Sequence, residues 1–290
     1  DDMGVHAQIC FQNGGVTQAG SLVSLGDPEL ALTVMQMYND ACADRIKESG
    51  NRIFCMASLP YWDKDTLLAE TRRVIDRGVK GVVMPDRPER LSSGFIGDDG
   101  KVSPFWEEFF DLCSATGTPL NFHLNSALDA NSAIWDGLGF DQRLPIHAML
   151  HHMGCCATFC NFMVSGLLDK YPKLKIGLIE SGSGWVPFVL EAMEHQIDEF
   201  RTAENRGLKR RPKEYFQQFW VSYWFESYAP KHMLEAIGVD RVMFETDYPH
   251  PTSLYPGVQD KLVDTLGGHS YEIRKQVLER NAATLYNLPF

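Results

Sequence analysis

Strand-like and helix-like runs alternate along almost the whole chain, and that alternation limits the fold more than any other feature. Residues 5–11 (VHAQICF) alternate as a strand does. A helix follows from Asp27, a cap residue, with Pro28 at its first position and Leu30, Val34, Met37, Tyr38, Ala41, Cys42 and Ile46 at helical spacing. The same rhythm repeats through strands in RIFCMASL, KGVVM, PLNFHL, LKIGLIE, FWVSYW and RVMFE. Helices are expected at about 63–77, 104–116, 147–170, 185–206, 231–237 and 270–286. Strands separated by helices run parallel, so the candidates are a doubly wound sheet and a closed barrel. A (β/α)8 TIM barrel needs eight strands and seven are visible, so the expectation is an α/β barrel whose first strand lies upstream of Asp1. Residues 1–290 are read as one barrel domain, because no repeat, linker or low-complexity tract divides them. Two connections, 86–103 and 125–145, are long and follow strands, where lids and substrate walls form.

Composition narrows the partners. The net charge is −11, with no long Lys/Arg run, which argues against nucleic acid and anionic membranes. No apolar stretch reaches the length of a membrane span. Seven scattered cysteines and no secretory leader read as reduced thiols in a cytoplasmic protein.

Chemistry is expected at the strand ends, where a barrel enzyme holds its reacting groups. Alternation in PLNFHL puts Asn121 and His123 on one face. In RVMFETD it groups Met243, Glu245 and Asp247, with Glu245 one layer below Asp247. Buried carboxylates need a cation, a donor or a proton. An imidazole and a carboxylate at two strand ends suit zinc, manganese or iron, so His123 and Asp247 are the candidate metal ligands. The blander readings are a core histidine and an aspartate capping the Pro249–Pro251 turn. In LIESGSGWVP, Glu180 and Ser181 have opposite parity, so a regular strand cannot aim both inward. Gly182, Ser183 and Gly184 then open a helix whose N-terminus could hold an anion. His152, Cys156 and Cys160 share a helix face, but about 6 Å per step spreads them too far for one tetrahedral ion, so that segment is read as core. Arg87, Arg90 and Arg143 are cationic residues in the long connections.

With those residues in view, the segments NFMVSGLLDKYPKLKIGLIESGSGWVPFVLEAMEH, GVDRVMFETDYPHP and RNAATLY resemble the amidohydrolase-related family that includes aminocarboxymuconate-semialdehyde decarboxylase and the resorcylate-type decarboxylases. The resemblance implies a metal-dependent barrel in which His123 is a ligand and Asp247 a ligand that also handles protons. It also implies a small-molecule substrate and a homo-oligomer, dimer or tetramer. The chain departs from the family at three points. No H-x-H or E-x-H pair precedes Val5, so a zinc, manganese or iron ion could be missing from this chain. Ser181, preceded by Glu180, stands where decarboxylases have a catalytic histidine, and Glu245 stands where glycine is commoner. The sequence reading therefore favours a metal-dependent hydrolase acting on a small carboxylated, cyclic substrate. In it Asp247 accepts a proton from water, Glu180 or Glu245 acts as acid, and Asn125, Ser181, Arg87, Arg143 and His250 contact substrate. The alternatives are a non-oxidative decarboxylase of an aromatic or muconate-like acid, in which a glutamate replaces the missing histidine as proton donor, and a catalytically silent barrel used as a binding subunit.

Overall fold

A computed structural model describes residues 2–12, 22–85, 87–123, 137–150, 152–201 and 207–290. Its strands are β1 (Gln8–Cys10), β2 (Ile53–Cys55), β3 (Val82–Val83), β4 (Leu120–His123), β5 (Ile176–Ile179), β6 (Phe219–Tyr223) and β7 (Val242–Phe244). The main helices between them are α1 (Pro28–Glu48), α2 (Lys64–Asp76), α3 (Glu107–Thr116), α4 (Phe140–Met149), α5 (His152–Val164), α6 (Val186–Glu199) and α7 (Val258–Leu266). β1 pairs with β2, β3 with β4 and β6 with β7, each in parallel. β3 to β7 stand in chain order in one sheet, which is the βαβ arrangement that the alternation predicts. No helix among the described residues is long and apolar enough to cross a membrane.

Two compact units are distinguishable. The first comprises Asp1–Asn121, Lys170–Gly177 and Ala282–Phe290. In it Asp27 caps α1 by accepting the N–H groups of Glu29 and Leu30, and Asp63 caps α2 at Thr66. Its core includes an aromatic cluster of Tyr61, Phe95, Trp106, Phe109 and Phe110. The second comprises Phe122–Asp169 and Leu178–Asn281, with Phe159, Phe216 and Phe219 packed edge-to-face and stacked.

Several expected boundaries move, for local reasons. β1 begins at Gln8, not Val5, because the Arg52 guanidinium takes the carbonyls of Val5 and His6 before the ladder starts. The single helix expected at 147–170 is three: α4, α5 and the turn Leu167–Lys170. Gly166 at φ +75° turns the chain after α5, and Ser165 Oγ accepts the N–H of Leu167. Residues 140–145 of the long connection are helical, as the start of α4, with Pro145 inside it. α7 has no counterpart among the expected helices; its short polar sequence buries only Val258, Thr265 and Leu266. The C-terminal helix starts at the Ser270 cap as expected, but widens into one π turn, Gln276–Arg280. Asn281 follows that turn and donates from Nδ2 to the carbonyls of Val239 (2.8 Å) and Val242 (2.7 Å), pinning the start of β7.

Candidate active site

The acidic residues that follow β5 and β7 meet in the second unit. β5 ends at Ile179 and β7 at Phe244, and the next turns leave strand geometry: Glu180 and Asp247 both sit at φ +56°. Left-handed backbone at a residue with a Cβ costs about 1 kcal/mol and recurs where function demands a particular side-chain direction. The parity conflict between Glu180 and Ser181 is resolved this way, because the strand has already ended.

One donor atom each from Glu180, Asp247 and His250 lies within 4.8 Å of the other two, and among the described residues this is the one set of three able to share an ion. Asp247 Oδ2 accepts from Thr252 Oγ1 at 2.6 Å and faces His250 Nδ1 at 3.2 Å. The backbone N–H of His250 donates to the Asp247 carbonyl at 2.8 Å. Asp247 therefore does organise the proline-containing turn, as the blander reading held, and offers its carboxylate to the cluster as well. His123, at the end of β4, meets Glu180 through Nε2···Oε2 at 2.8 Å. Glu180 and Asp247 keep 11% side-chain exposure each and His250 keeps 40%, so the cluster is shielded on one side and reachable from the other.

Glu245 lies behind these groups. The residue is half-buried overall, but its carboxyl head is fully so: Oε1 has no solvent contact and, among the described residues, no hydrogen-bond partner, and Oε2 accepts from Ser222 Oγ at 2.7 Å. Ser222 Oγ in turn accepts the Glu180 N–H at 3.0 Å. Burial pushes the Glu245 carboxyl up to about 8, opposed by the Ser222 hydrogen bond and assisted by repulsion from Glu180 and Asp247. Three carboxyl groups gathered so closely call for a cation, a proton or both. Two carboxylate oxygens and an imidazole nitrogen, with a second imidazole on Glu180, form a donor set that fits zinc, manganese or iron.

The helix N-terminus expected to receive an anion is filled by the protein itself. Glu226 accepts the N–H groups of Ser183 and Gly184, both at 2.9 Å, at the approach to α6. A Cβ at Gly182 or Gly184 would stand 3.0 or 3.1 Å from that carboxylate, so both glycines are needed for its close approach. Burial pushes the Glu226 carboxyl up, opposed by these donors.

The remaining expected residues divide. Ser181 is buried and its hydroxyl donates to the carbonyls of Leu178 (3.1 Å) and Gly182 (3.3 Å), which occupies it locally. Arg143 lies in α4 with Nε buried and unpartnered among the described residues. Arg87 precedes the helical turn Pro88–Arg90 in the first unit. Asn125 lies outside the described residues. Asn121, grouped with His123 by alternation, is a structural residue: it donates to the Val82 carbonyl and accepts from the Tyr286 hydroxyl. Ser222, Glu226 and Thr252 were not foreseen. The signal for Ser222 was present, as a polar residue at the far end of an otherwise apolar strand.

A model of the amidohydrolase family (Amidohydro_2) matches residues 24–288. Gamma-resorcylate decarboxylase of a Polaromonas species is 26% identical over 263 residues, covering 86% of this chain and 74% of that protein. The 2-amino-3-carboxymuconate-6-semialdehyde decarboxylase of Dictyostelium discoideum is 26% identical over 271 residues, covering 90% and 68%. Among solved structures, the dihydroxybenzoic acid decarboxylase of Polaromonas, with bound manganese and the inhibitor 2-nitroresorcinol, superposes with a TM-score of 0.71 at 23% identity, covering 100% of this chain and 84% of that one. Likeness at that identity establishes the fold, the α/β barrel of the TIM type. These relatives are named as decarboxylases, not hydrolases, and the ion in that neighbour is manganese, not the zinc expected first.

Proposed function

The chain belongs to the amidohydrolase family, and from that premise we propose that it is a metal-dependent, non-oxidative decarboxylase of a small hydroxylated aromatic or muconate-like acid. The observation that carries this reading is the convergence of Glu180, Asp247 and His250 within ligand distance, with His123 on Glu180. The names of the relatives favour decarboxylation over the hydrolysis that the sequence alone suggested.

Loss of carbon dioxide from such an acid needs an anchor for the carboxylate and a proton for the carbon that loses it. We assign the anchor to a divalent ion that Asp247 and His250 would hold, manganese being the ion of a structural neighbour. When bound, it supplies Lewis-acid polarisation of substrate oxygens. Asp247 is fixed for this by Thr252. Ser181 stands at the position of the family's histidine, so we assign the proton to its neighbour Glu180, with His123 orienting its carboxyl and Ser222 holding its backbone. Arg143, with its unpartnered Nε, is the candidate partner for a substrate anionic group. Small-molecule substrate and homo-oligomeric assembly remain part of the proposal.

The test is carbon dioxide release from a panel of hydroxybenzoates by manganese-loaded protein. Release from at least one member supports the reading. Turnover of esters or lactones without release would replace it with hydrolysis, and neither activity combined with no metal retention would leave the silent barrel. The role of Glu180 is separable from that of a ligand. Glu180→Gln is expected to lose about 10²–10⁴-fold in turnover while keeping its metal stoichiometry; loss of the metal would make Glu180 a ligand and not the acid.

A further inference from the structure

β6 and the residues just past it grip the turn that carries Glu180 at both of its ends. Ser222, on the strand, accepts the Glu180 N–H at 3.0 Å. Glu226, beyond the end of the strand at Tyr223, accepts the N–H groups of Ser183 and Gly184, one on each carboxylate oxygen. The Ser183 hydroxyl also stands 3.4 Å from Oε2. Between the two grips the chain has left the sheet. Glu180 and Gly182 both lie in the left-handed region, at φ +56° and +70°, and the Gly182 carbonyl accepts from Trp185 Nε1 at 3.0 Å. A residue with a Cβ keeps such a backbone only where its surroundings impose it.

Glu226 does more than cap a helix. α6 begins after Trp185, and Ser183 and Gly184 precede that residue. Both carboxylate oxygens are therefore directed at the turn, not at the first-turn N–H groups of the helix. The residue beside Glu226 is itself fastened to α7. Ser227 Oγ donates to Asp264 Oδ2 at 2.7 Å and accepts from Lys261 Nζ at 2.8 Å, and Lys231 Nζ donates to Asp264 at 2.5 Å. The Tyr223 and Thr265 hydroxyls meet at 3.3 Å. Through these contacts α7, the helix that periodicity missed, fixes where the Glu226 carboxylate stands.

We propose that Glu226 is the positioning residue of the proton donor: by holding Ser183 and Gly184 it fixes the turn that aims the Glu180 carboxyl at His123, and it acts on the reaction only through Glu180. The inference rests on the assignment of the proton to Glu180. Two adjacent N–H groups are matched by the two oxygens of one carboxylate. Glutamine offers them one oxygen and turns an NH2 donor on the other. The turn is then left with its grip at the Glu180 N–H, and the carboxyl loses its fixed direction. Misplacement of a reacting group by about 1 Å costs on the order of 10²-fold in rate.

The test uses Glu226→Gln and, from the other side of the same contact, Gly184→Ala, whose Cβ would meet Glu226 Oε1 at 3.1 Å. With a hydroxybenzoate that the wild type decarboxylates, each is expected to lower kcat about 10–10²-fold with KM little changed. In a Glu180→Gln background Glu226→Gln is expected to cost nothing further, because the two residues act as a unit. Crystal structures of the wild type and of Glu226→Gln, both as purified, are expected to show the 2.8 Å contact between His123 Nε2 and Glu180 Oε2 in the first and its loss in the second. A contact preserved in the variant, an equal loss of kcat in the Glu180→Gln background, or a change confined to the melting temperature would overturn the proposal. Should Glu226→Gln fail to fold, the same measurements on Gly184→Ala decide. A wild type that releases no carbon dioxide from any hydroxybenzoate refutes the proposed function, and the crystal structures then decide this inference alone.

Discussion

Glu70 and Glu245 are buried carboxyl groups, one in each compact unit, and only Glu70 has its full set of partners. Both Glu70 oxygens are engaged by Arg73 (2.7 and 2.8 Å), and Asn39 (2.7 Å) and Gln36 (3.2 Å) complete the set. Glu245 has Ser222 on one oxygen and, among the described residues, no hydrogen-bond partner on the other. Glu70 ties α1 to α2, and its desolvation is offset where it stands. Glu245 keeps an uncompensated deficit next to two further carboxylates. The contrast separates a carboxyl that ties two helices together from one that, on the proposed function, belongs to the site.

Four measurements would break or sharpen that contrast. Asp247→Asn is expected to lower turnover by at least about 10³-fold with the fold intact, and manganese, expected to raise the melting temperature of the wild type, should no longer do so in the variant; an unchanged rate removes Asp247 from the site. Glu70→Ala should cost about 3–5 kcal/mol in denaturant unfolding, because Arg73 loses its buried partner. Glu245→Gln should change stability by less than about 1 kcal/mol while depressing turnover. If those two stabilities were reversed, the distinction between scaffold and site would be wrong. Ser222→Ala should cost about 1–3 kcal/mol, since it strips a partner from both Glu245 and the Glu180 N–H.

The smallest effect concerns pH. A carboxyl raised in the folded state binds its proton more tightly there than when unfolded. For Glu226 this means that stability falls as pH climbs from the ordinary 4.5 toward its raised value. Glu226→Gln should flatten that part of the stability–pH curve, and an identical slope in the variant would show that Glu226 does not titrate there.

Much of this was legible in the sequence, because local rules wrote it. Asp27, Asp63 and Ser270 cap helices within three residues of themselves, and strand parity brought His123 and Asp247 forward as a pair. What escaped were contacts between strands. Ser222 reaches Glu245, Glu226 reaches Ser183, and Thr252 reaches across the turn to Asp247; no periodicity within one segment encodes such meetings. The left-handed turns at Glu180 and Asp247 also escaped, since alternation assumes that the strand continues. They accompany the approach of His250 to within ligand distance of Glu180 and Asp247.

The two hydrogen bonds from Asn281 to Val239 and Val242 have a temporal consequence. The ribosome delivers the strand that presents Glu245 and Asp247 almost forty residues before the side chain that clamps its root. A nascent or C-terminally clipped chain therefore has every acidic residue of the cluster in hand but no firm seat for those on this strand until the last helix emerges.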